Sequence, residues 1–368
     1  MKILIFIPHM GQGGVERSFI NLSKELINKG LNVKFICLNK IETSYNENLS
    51  VIKLNSNRTL FSAFKLSKVI EYESPDILIS AQYYANITAI ISNQISKVKT
   101  KIIISERNHL TSALKKYNFF KSSIIKFLIK LSYDKADLIF GNSESVCEDL
   151  KEKFVYKNNK KVIKILNPAY IEAVLKKSEE KINDKWISDS DVPILVYAGR
   201  LEAQKDIGTL LKTFEIINKT HKSKLLIIGS GSEKEKLNRF ALYKKNRVKQ
   251  IEFDENPYKY LKHCNVFLLT SIYEGMPNVL IEAQILGMPI VATDSPGGTS
   301  EVLQYGKVGL LAKIKDAEDI SQKVNILLTD KEVVSNLSLN FEKSLERFNP
   351  KRISDQIIKE ASKLLKIK

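Results

Sequence analysis

Tyr273–Leu303 reads YEGMPNVLIEAQILGMPIVATDSPGGTSEVL, and its reading decides the architecture. Pro277 suits the first position of a helix, where its missing N–H costs nothing, and the apolar run after it predicts a helix over Pro277–Leu286. Gly287 closes that helix, and Pro289–Thr293 follows as a short apolar strand. Pro296-Gly297-Gly298 then makes a turn, and Thr299 and Ser300 open a second helical run. Glu274 lies in the loop before the first helix, and Glu282 sits about one and a half turns inside it, an E-x7-E spacing. A helix running into a buried strand, with punctuation at both joins, is the unit of a parallel α/β sheet.

The same alternation extends outward in both directions. Toward the N-terminus of this half lie strands at Ile194–Ala198, Lys224–Ile228, Val248–Phe253 and Val266–Thr270. Helical patterns at Ile207–Lys219 and Glu233–Lys244 run between them, and Ala317–Leu328 follows. The first half repeats the scheme, with strands at Ile3–Pro8, Asn32–Leu38, Ile77–Ser80, Lys101–Ser105 and Asp137–Gly141 and a helical stripe over Val15–Asn28. The polar stretch from Asn167 to Val192 reads as the connection between them. With 368 residues, the chain exceeds one ordinary hydrophobic core. The expectation is two doubly wound domains, 1–167 and 168–345, whose strand C-terminal ends form the ligand crevices. A last amphipathic helix within 346–368 returns to the first domain.

Several residues at predicted strand ends carry chemistry. Arg200 and Lys205, in YAGRLEAQKD (197–206), place two cations where an anion would bind. The helix beginning near Pro277 offers free N–H groups to a phosphate, as does the run after Gly298. Glu274 and Glu282 can accept from paired hydroxyls; the plainer reading is a solvated loop residue and a surface helix residue. Gly11-Gln12-Gly13-Gly14 is a Gly-rich strand-to-helix turn, but Glu16 replaces the third glycine of a dinucleotide fingerprint and no P-loop Lys-Ser/Thr follows. It admits a ligand close to backbone N–H groups or is simply a tight turn. His109, in SERNHL (105–110), follows a strand end beside Glu106 and Arg107, in a chain with 4 His. No His/Cys/Asp cluster has metal-ligand spacing, so metal independence is expected.

Charge and composition narrow the field. There are 58 Lys and Arg against 41 Asp and Glu, a net charge of +17. Such a surface attracts anionic lipid, phosphorylated substrates or nucleic acid, but no nucleic-acid-binding signature accompanies it. Lys115–Lys135 (KKYNFFKSSIIKFLIKLSYDK) sets six lysines against the single acid Asp134 around an apolar stripe. This suits a helix lying on an anionic membrane, or a domain helix whose apolar face is core. No stretch approaches the roughly 20 apolar residues of a membrane span, and Met1–Ile7 is too short for a signal peptide. A cytoplasmic chain is expected, peripheral on the inner membrane face if the 115–135 helix binds lipid. Cys37, Cys147 and Cys264 read as reduced core residues.

Taken together, GRLEAQKD and EGMPNVLIEA, in this order and spacing, resemble the GT-B retaining glycosyltransferases of family 4, and the resemblance covers essentially the whole chain. It implies two Rossmann-like domains facing across a cleft, with the last helix crossing back. It implies that Arg200 and Lys205 hold the donor diphosphate, that Glu282 binds the ribose, and that Glu274 takes the hydroxyls of the transferred sugar. Gly275, Met276, Pro277, Asn278 and Val279 line the donor, Pro296–Thr299 lie beside the diphosphate, Gly13 and Gly14 approach donor phosphate and acceptor, and His109 contacts the sugar. TDSPGGTSEVL looks like enzymes of bacterial surface polysaccharide assembly, which use UDP-hexoses or UDP-N-acetylhexosamines and lipid-linked acceptors. Gly229-Ser230-Gly231 departs from the pattern, with Ser where many members carry Asp. A nucleotide-sugar epimerase and a non-catalytic sugar-nucleotide-binding protein are the competing readings; the missing dinucleotide fingerprint argues against a dehydrogenase.

Overall fold

Strand β1 (Lys2–Phe6) shows how the first core is built. Leu4 and Phe6 point into one apolar cluster, while Ile3 and Ile5 point into another. A strand apolar on both faces must be covered on both, the signature of a central strand in a parallel sheet. The computed structural model of the protein describes residues 1–11, 13–39, 49–155, 157 and 159–366, so Gln12 lies outside the described residues. The chain divides into two compact units, one of Met1–Pro168 with Phe348–Lys368 and one of Ala169–Arg347.

In the first unit, β1 is joined by β2 (Asn32–Cys37), β3 (Ser50–Lys53), β4 (Ile77–Ala81), β5 (Lys101–Glu106), β6 (Leu138–Gly141) and β7 (Val162–Lys164). All pairs are parallel, in the order β3-β2-β1-β4-β5-β6-β7. Its helices are α1 (Gly14–Asn28), α2 (Ala63–Glu73), α3 (Tyr83–Ile95), α4 (Leu110–Leu114), α5 (Phe119–Tyr133) and α6 (Glu144–Lys153). Helices α2, α3, α5 and α6 contribute to the apolar cluster that holds Leu4 and Phe6, and α1 to the opposite one.

The second unit contains α7 (Ile171–Ser178), α8 (Lys185–Ser188), β8 (Ile194–Ala198), α9 (Ile207–Thr220), β9 (Lys224–Ile228), α10 (Lys234–Asn238), α11 (Ala241–Lys244) and β10 (Val248–Ile251). It continues with α12 (Tyr258–Leu261), β11 (Val266–Leu269), α13 (Asn278–Ile285), β12 (Ile290–Thr293), α14 (Thr299–Val302), β13 (Leu310–Ala312), α15 (Ala317–Thr329), α16 (Lys331–Ser338) and α17 (Phe341–Leu345). The sheet is again parallel, in the order β10-β9-β8-β11-β12-β13. Helix α18 (Pro350–Lys366) belongs to the first unit, where Ile353, Ile357 and Ala361 join the cluster under α1.

Three local expectations change. The stretch 167–192 is not bare connection: α7 packs on α12 and α13, and Asn256 donates to the Lys177 carbonyl and the Glu180 carboxylate at 2.7 and 2.8 Å. The helix expected over Glu233–Lys244 is two short helices, α10 and α11. Pro277 stands one residue before α13, as its N-cap, with extended ψ of 98°. In both sheets the strand order reverses between the first strand and the fourth, β1/β4 and β8/β11. Such a reversal leaves an open crevice at the strand C-terminal ends, because the connections leave in opposite directions.

Candidate functional site

The β8/β11 crevice is built from four loops laced together through their backbones. After β8, the Leu201 N–H donates to the Ser230 carbonyl at 2.9 Å, tying the 199–205 loop to the turn after β9. A Cβ at Gly229 would collide with the Gly199 carbonyl, and one at Gly231 with the Leu201 carbonyl, so both glycines are required by close backbone approach. After β11, the Ile272 N–H donates to the Gln204 carbonyl, and Gln204 Nε2 returns a bond to the Tyr273 carbonyl, both at 2.8 Å. After β12, the Pro296 carbonyl accepts the Glu274 N–H at 2.8 Å, and the Gly275 carbonyl accepts the Gly298 N–H at 2.5 Å. Gly297 has φ of 115°, and a Cβ there would run into the Glu274 carbonyl.

Inside this lacing sit the polar groups. Lys205 Nζ lies 2.5 Å from Glu274 Oε1, with the side chains only 13% and 7% exposed. Ser271 Oγ donates to the same oxygen at 2.6 Å. A pair this enclosed is held by the desolvation that either charge would suffer alone. Glu282, on α13, accepts from the Tyr258 hydroxyl at 3.1 Å. Met276 and Pro277 are buried, while Asn278 and Val279 at the start of α13 are half-exposed. Pro277 offers no side-chain cap to the start of α13, and the Leu280 N–H turns back to the Pro277 carbonyl at 3.0 Å; the positive end of the helix dipole lies at this loop. Thr299 Oγ1 and Ser295 Oγ bond each other at 3.0 Å, and Ser300 pairs with Asp294, which closes the start of α14.

Lys205, Glu274, Gly275, Pro296 and Gly297 are thus brought together, as the sequence pattern requires. Arg200 is solvent-exposed just past β8 and takes no part in the ion pairs found among the described residues. Its carbonyl accepts the hydroxyl of buried Tyr197 at 2.8 Å, which pins the loop beneath it. Ser271, Gln204 and Tyr258 were not singled out from sequence. Ser271 stands three residues before Glu274 at a strand end, a readable signal; Tyr258 lies 24 residues from Glu282, and nothing local marks it.

In the first unit, Gly13 is the N-cap of α1, with an ordinary φ of −72°, and the Glu16 carboxylate lies against it. His109 is the N-cap of α4: its Nδ1 accepts the Ser112 N–H at 3.3 Å. Asp149 Oδ2 lies 3.6 Å from the same nitrogen and accepts the Thr111 N–H at 2.9 Å. A neutral imidazole accepting at Nδ1 carries its hydrogen on Nε2, which leaves that nitrogen a donor. Beneath it, Glu106 is fully buried and accepts from Asn86 Nδ2 at 2.7 Å and from the Tyr133 hydroxyl. Burial raises the Glu106 carboxyl to about 8 against those two stabilising donors. Arg107 points elsewhere, donating to Ser18 Oγ and Asn167 Oδ1 at 2.7 and 2.6 Å and stacking over Phe19; burial lowers it to about 10, so it stays charged. Among the described residues, no group of three or more His, Cys, Asp or Glu side chains is arranged to hold a metal ion.

Known proteins carry the same organisation. Residues 178–344 match the family model of glycosyl transferases group 1, and residues 12–167 match that of glycosyltransferase family 4. The chain is 32% identical, over 89% of its length and 90% of the relative's, to the N-acetylgalactosamine-N,N'-diacetylbacillosaminyl-diphospho-undecaprenol 4-alpha-N-acetylgalactosaminyltransferase of Campylobacter jejuni. It is 28% identical to the capsular polysaccharide biosynthesis glycosyltransferase CapM of Staphylococcus aureus, over 85% of this chain and 83% of the relative. The fold superposes on Anabaena HepE in complex with UDP-glucose with a TM-score of 0.81, at 17% identity over 99% and 100% of the two chains. Two doubly wound parallel sheets, a laced strand-end crevice with its Lys205–Glu274 pair, and these likenesses lead to one conclusion: the chain belongs to the GT-B glycosyltransferases, uniting a family 4 first domain with a group 1 second domain, and is a glycosyltransferase.

Proposed function

We propose that the protein transfers a hexose or N-acetylhexosamine, with retention, from a UDP-linked donor to a hydroxyl of a lipid-linked glycan in surface polysaccharide assembly. The observation that carries this reading is the enclosed Lys205–Glu274 pair beside the uncapped start of α13, at the β8/β11 reversal. A cation, a carboxylate and the positive end of a helix match a diphosphate joined to a hydroxyl-rich sugar. The relatives named above support the acceptor class, because one acts on a diphospho-undecaprenol-linked sugar and another in capsular polysaccharide biosynthesis.

In this scheme the acceptor oxygen forms its bond to the sugar's anomeric carbon on the face the leaving group departs from. The bond from that carbon to the β-phosphate oxygen breaks, and its electron pair stays on that oxygen. The acceptor's proton passes to the same phosphate oxygen, so no dedicated base and no metal is required of the chain. Arg200, Lys205 and the α13 N-terminus stabilise the developing charge. Glu282 takes the ribose hydroxyls, Glu274 those of the sugar, and Gly275–Val279 pack along the donor. Gly13 and Gly14 leave room for phosphate and acceptor, and His109 Nε2 donates to the sugar.

The test is a thermal-shift panel of UDP- and GDP-sugars, followed by product analysis with and without a polyprenyl-diphosphate-linked acceptor. A donor at a hundred times its dissociation constant stabilises by about 2.7 kcal/mol, so the matching UDP-sugar raises the melting temperature. Arg200→Ala and Glu282→Ala abolish the shift and the transfer. Unchanged binding and turnover in both variants would overturn the assignment. An isomerised sugar formed from donor alone would favour an epimerase.

A further inference from the structure

Helix α5 is apolar on two faces, and only the one holding Ile125, Leu128, Ile129 and Tyr133 is core. Ile129 and Tyr133 are buried, yet Phe120, Ile124, Phe127 and Leu131 form a second stripe at helical spacing that is open to solvent. Phe119 and Phe120 at its start are 89% and 75% exposed. A second group stands elsewhere: Phe61, in the turn Leu60–Ser62 just before α2, and Phe64, in its first turn, are 72% and 66% exposed. Helix α3 packs against both α2 and α5 and against the turn at Leu60–Ser62, so the two groups flank one helix.

They also share one edge of the unit. The last residue of α2, Glu73, bonds Lys2 at the start of β1. The Tyr133 and Asp134 carbonyls that end α5 accept from Nζ of Lys161, which stands just ahead of β7. Both helices therefore run against the strands, and their first turns lie at the strand C-terminal edge. The hydroxyls of Tyr83, opening α3, and Tyr117, just before α5, meet there at 2.9 Å.

Cations are interleaved with these rings. Arg58 lies 5.8 Å from the Phe61 ring, and Lys116 and Lys121 lie 5.0 and 4.5 Å from that of Tyr117. The first turn of α5 holds no acid and carries Lys121, with Lys115 and Lys116 just before it. That is the wrong sign for the helix dipole, so these lysines do not serve the helix itself. Large exposed aromatics ringed by cations match a surface that is apolar within and anionic outside. No helix of the described residues is long and apolar enough to cross a membrane.

We propose that the starts of α2 and α5 form one composite platform that docks on an anionic lipid bilayer, with Phe61, Phe64, Phe119 and Phe120 entering the headgroup–acyl boundary. The platform lies at the same sheet edge as Gly13 and His109. Docking there would bring a lipid-linked acceptor to that edge, a consequence that rests on the transfer reading, whereas the docking itself does not.

The test is flotation of the full chain with vesicles, read without donor or acceptor. Vesicles of equal parts phosphatidylcholine and phosphatidylglycerol carry the protein up the gradient, and pure phosphatidylcholine does not. Phe119→Ser/Phe120→Ser and Phe61→Ser/Phe64→Ser each lower partitioning roughly tenfold or more. Lys115→Gln/Lys116→Gln/Lys121→Gln lowers it on the order of a hundredfold, and unchanged melting temperatures show that all three remain folded. The proposal is overturned if the wild-type chain fails to float, if the Phe61/Phe64 variant floats as well as wild type, or if the faces instead join two copies, seen as a dimer that both aromatic variants dissolve.

Discussion

The laced crevice of the second unit and the loop after β5 in the first are held by opposite means. In the second unit the loops after β8, β9, β11 and β12 are fixed by backbone meeting backbone, and one enclosed ion pair sits within the lacing. In the first unit the loop after β5 takes its order from side chains: His109 on Ser112, Asp149 on Thr111, and Glu106 held from below. Backbone lacing fixes position closely and tolerates no added atom, which suits a ligand whose recognised part is constant. Side-chain scaffolding can be rebuilt residue by residue, which suits a partner that differs from one enzyme to the next.

Adding one methyl group to each kind of glycine probes this contrast most severely. Gly297→Ala forces a positive φ on a residue with a Cβ and drives that Cβ into the Glu274 carbonyl. Strain and overpacking together should cost about 4 kcal/mol. Gly13→Ala meets only the movable end of Glu16 and should cost under about 1 kcal/mol. Urea unfolding of the two variants measures the difference, and equal losses would erase the distinction.

Next in size is the ion pair. Lys205→Met leaves the Glu274 carboxylate enclosed with Ser271 as its remaining partner, which should cost about 3 kcal/mol. Converting both ends, Lys205→Met with Glu274→Leu, should recover most of that loss, because an apolar pair carries no desolvation penalty. Transfer should remain abolished in both. Stability that fails to return would mean the lacing, not the pair, depends on Lys205.

What could be read beforehand follows the same division. Strands buried on both faces announce themselves as apolar runs, so β1, β5, β8 and β12 stand in the sequence nearly as they fold. Edge strands are less legible: the sequence marks β10, but β3 and β7, short and partly exposed, carry no such run. The Lys205–Glu274 crevice was legible because its residues cluster in two short motifs punctuated by glycine. The Glu106 network was not, because Asn86 and Tyr133 reach it from α3 and α5, far apart in sequence and unmarked by any local pattern. Nor could the sequence decide which face of α5 is core, since the helix is apolar on two sides.

A smaller effect is expected at His109, where structure and chemistry can be separated. His109→Ala removes the acceptor for the Ser112 N–H and should cost about 1 kcal/mol. His109→Asn restores a capping oxygen and with it the stability, but not a donor at Nε2. If the ring serves only as a cap, Asn should restore transfer too. If it donates to the sugar, turnover should stay down on the order of a hundredfold in both variants.

The effect that starts smallest, near pH 5, and then grows with pH belongs to Glu106→Gln. The glutamine amide oxygen can accept from Asn86 and Tyr133 as Glu106 Oε1 does, so near pH 5 the variant should match wild type within about 0.5 kcal/mol. The two must then diverge. Glu106 has its carboxyl raised from an ordinary 4.5 to about 8 in the fold, so between those values the folded chain holds a proton the unfolded chain has released. Its contribution is fully present below pH 4.5 and is lost as pH rises through about 8. Wild type should therefore fall behind Glu106→Gln by up to about 1.4 kcal/mol per pH unit across that window. Unfolding curves of the two proteins at pH 5, 6.5 and 8 measure the divergence. Parallel stabilities would mean that Glu106 is ionised in the fold, and that the first unit buries a charge as the second does.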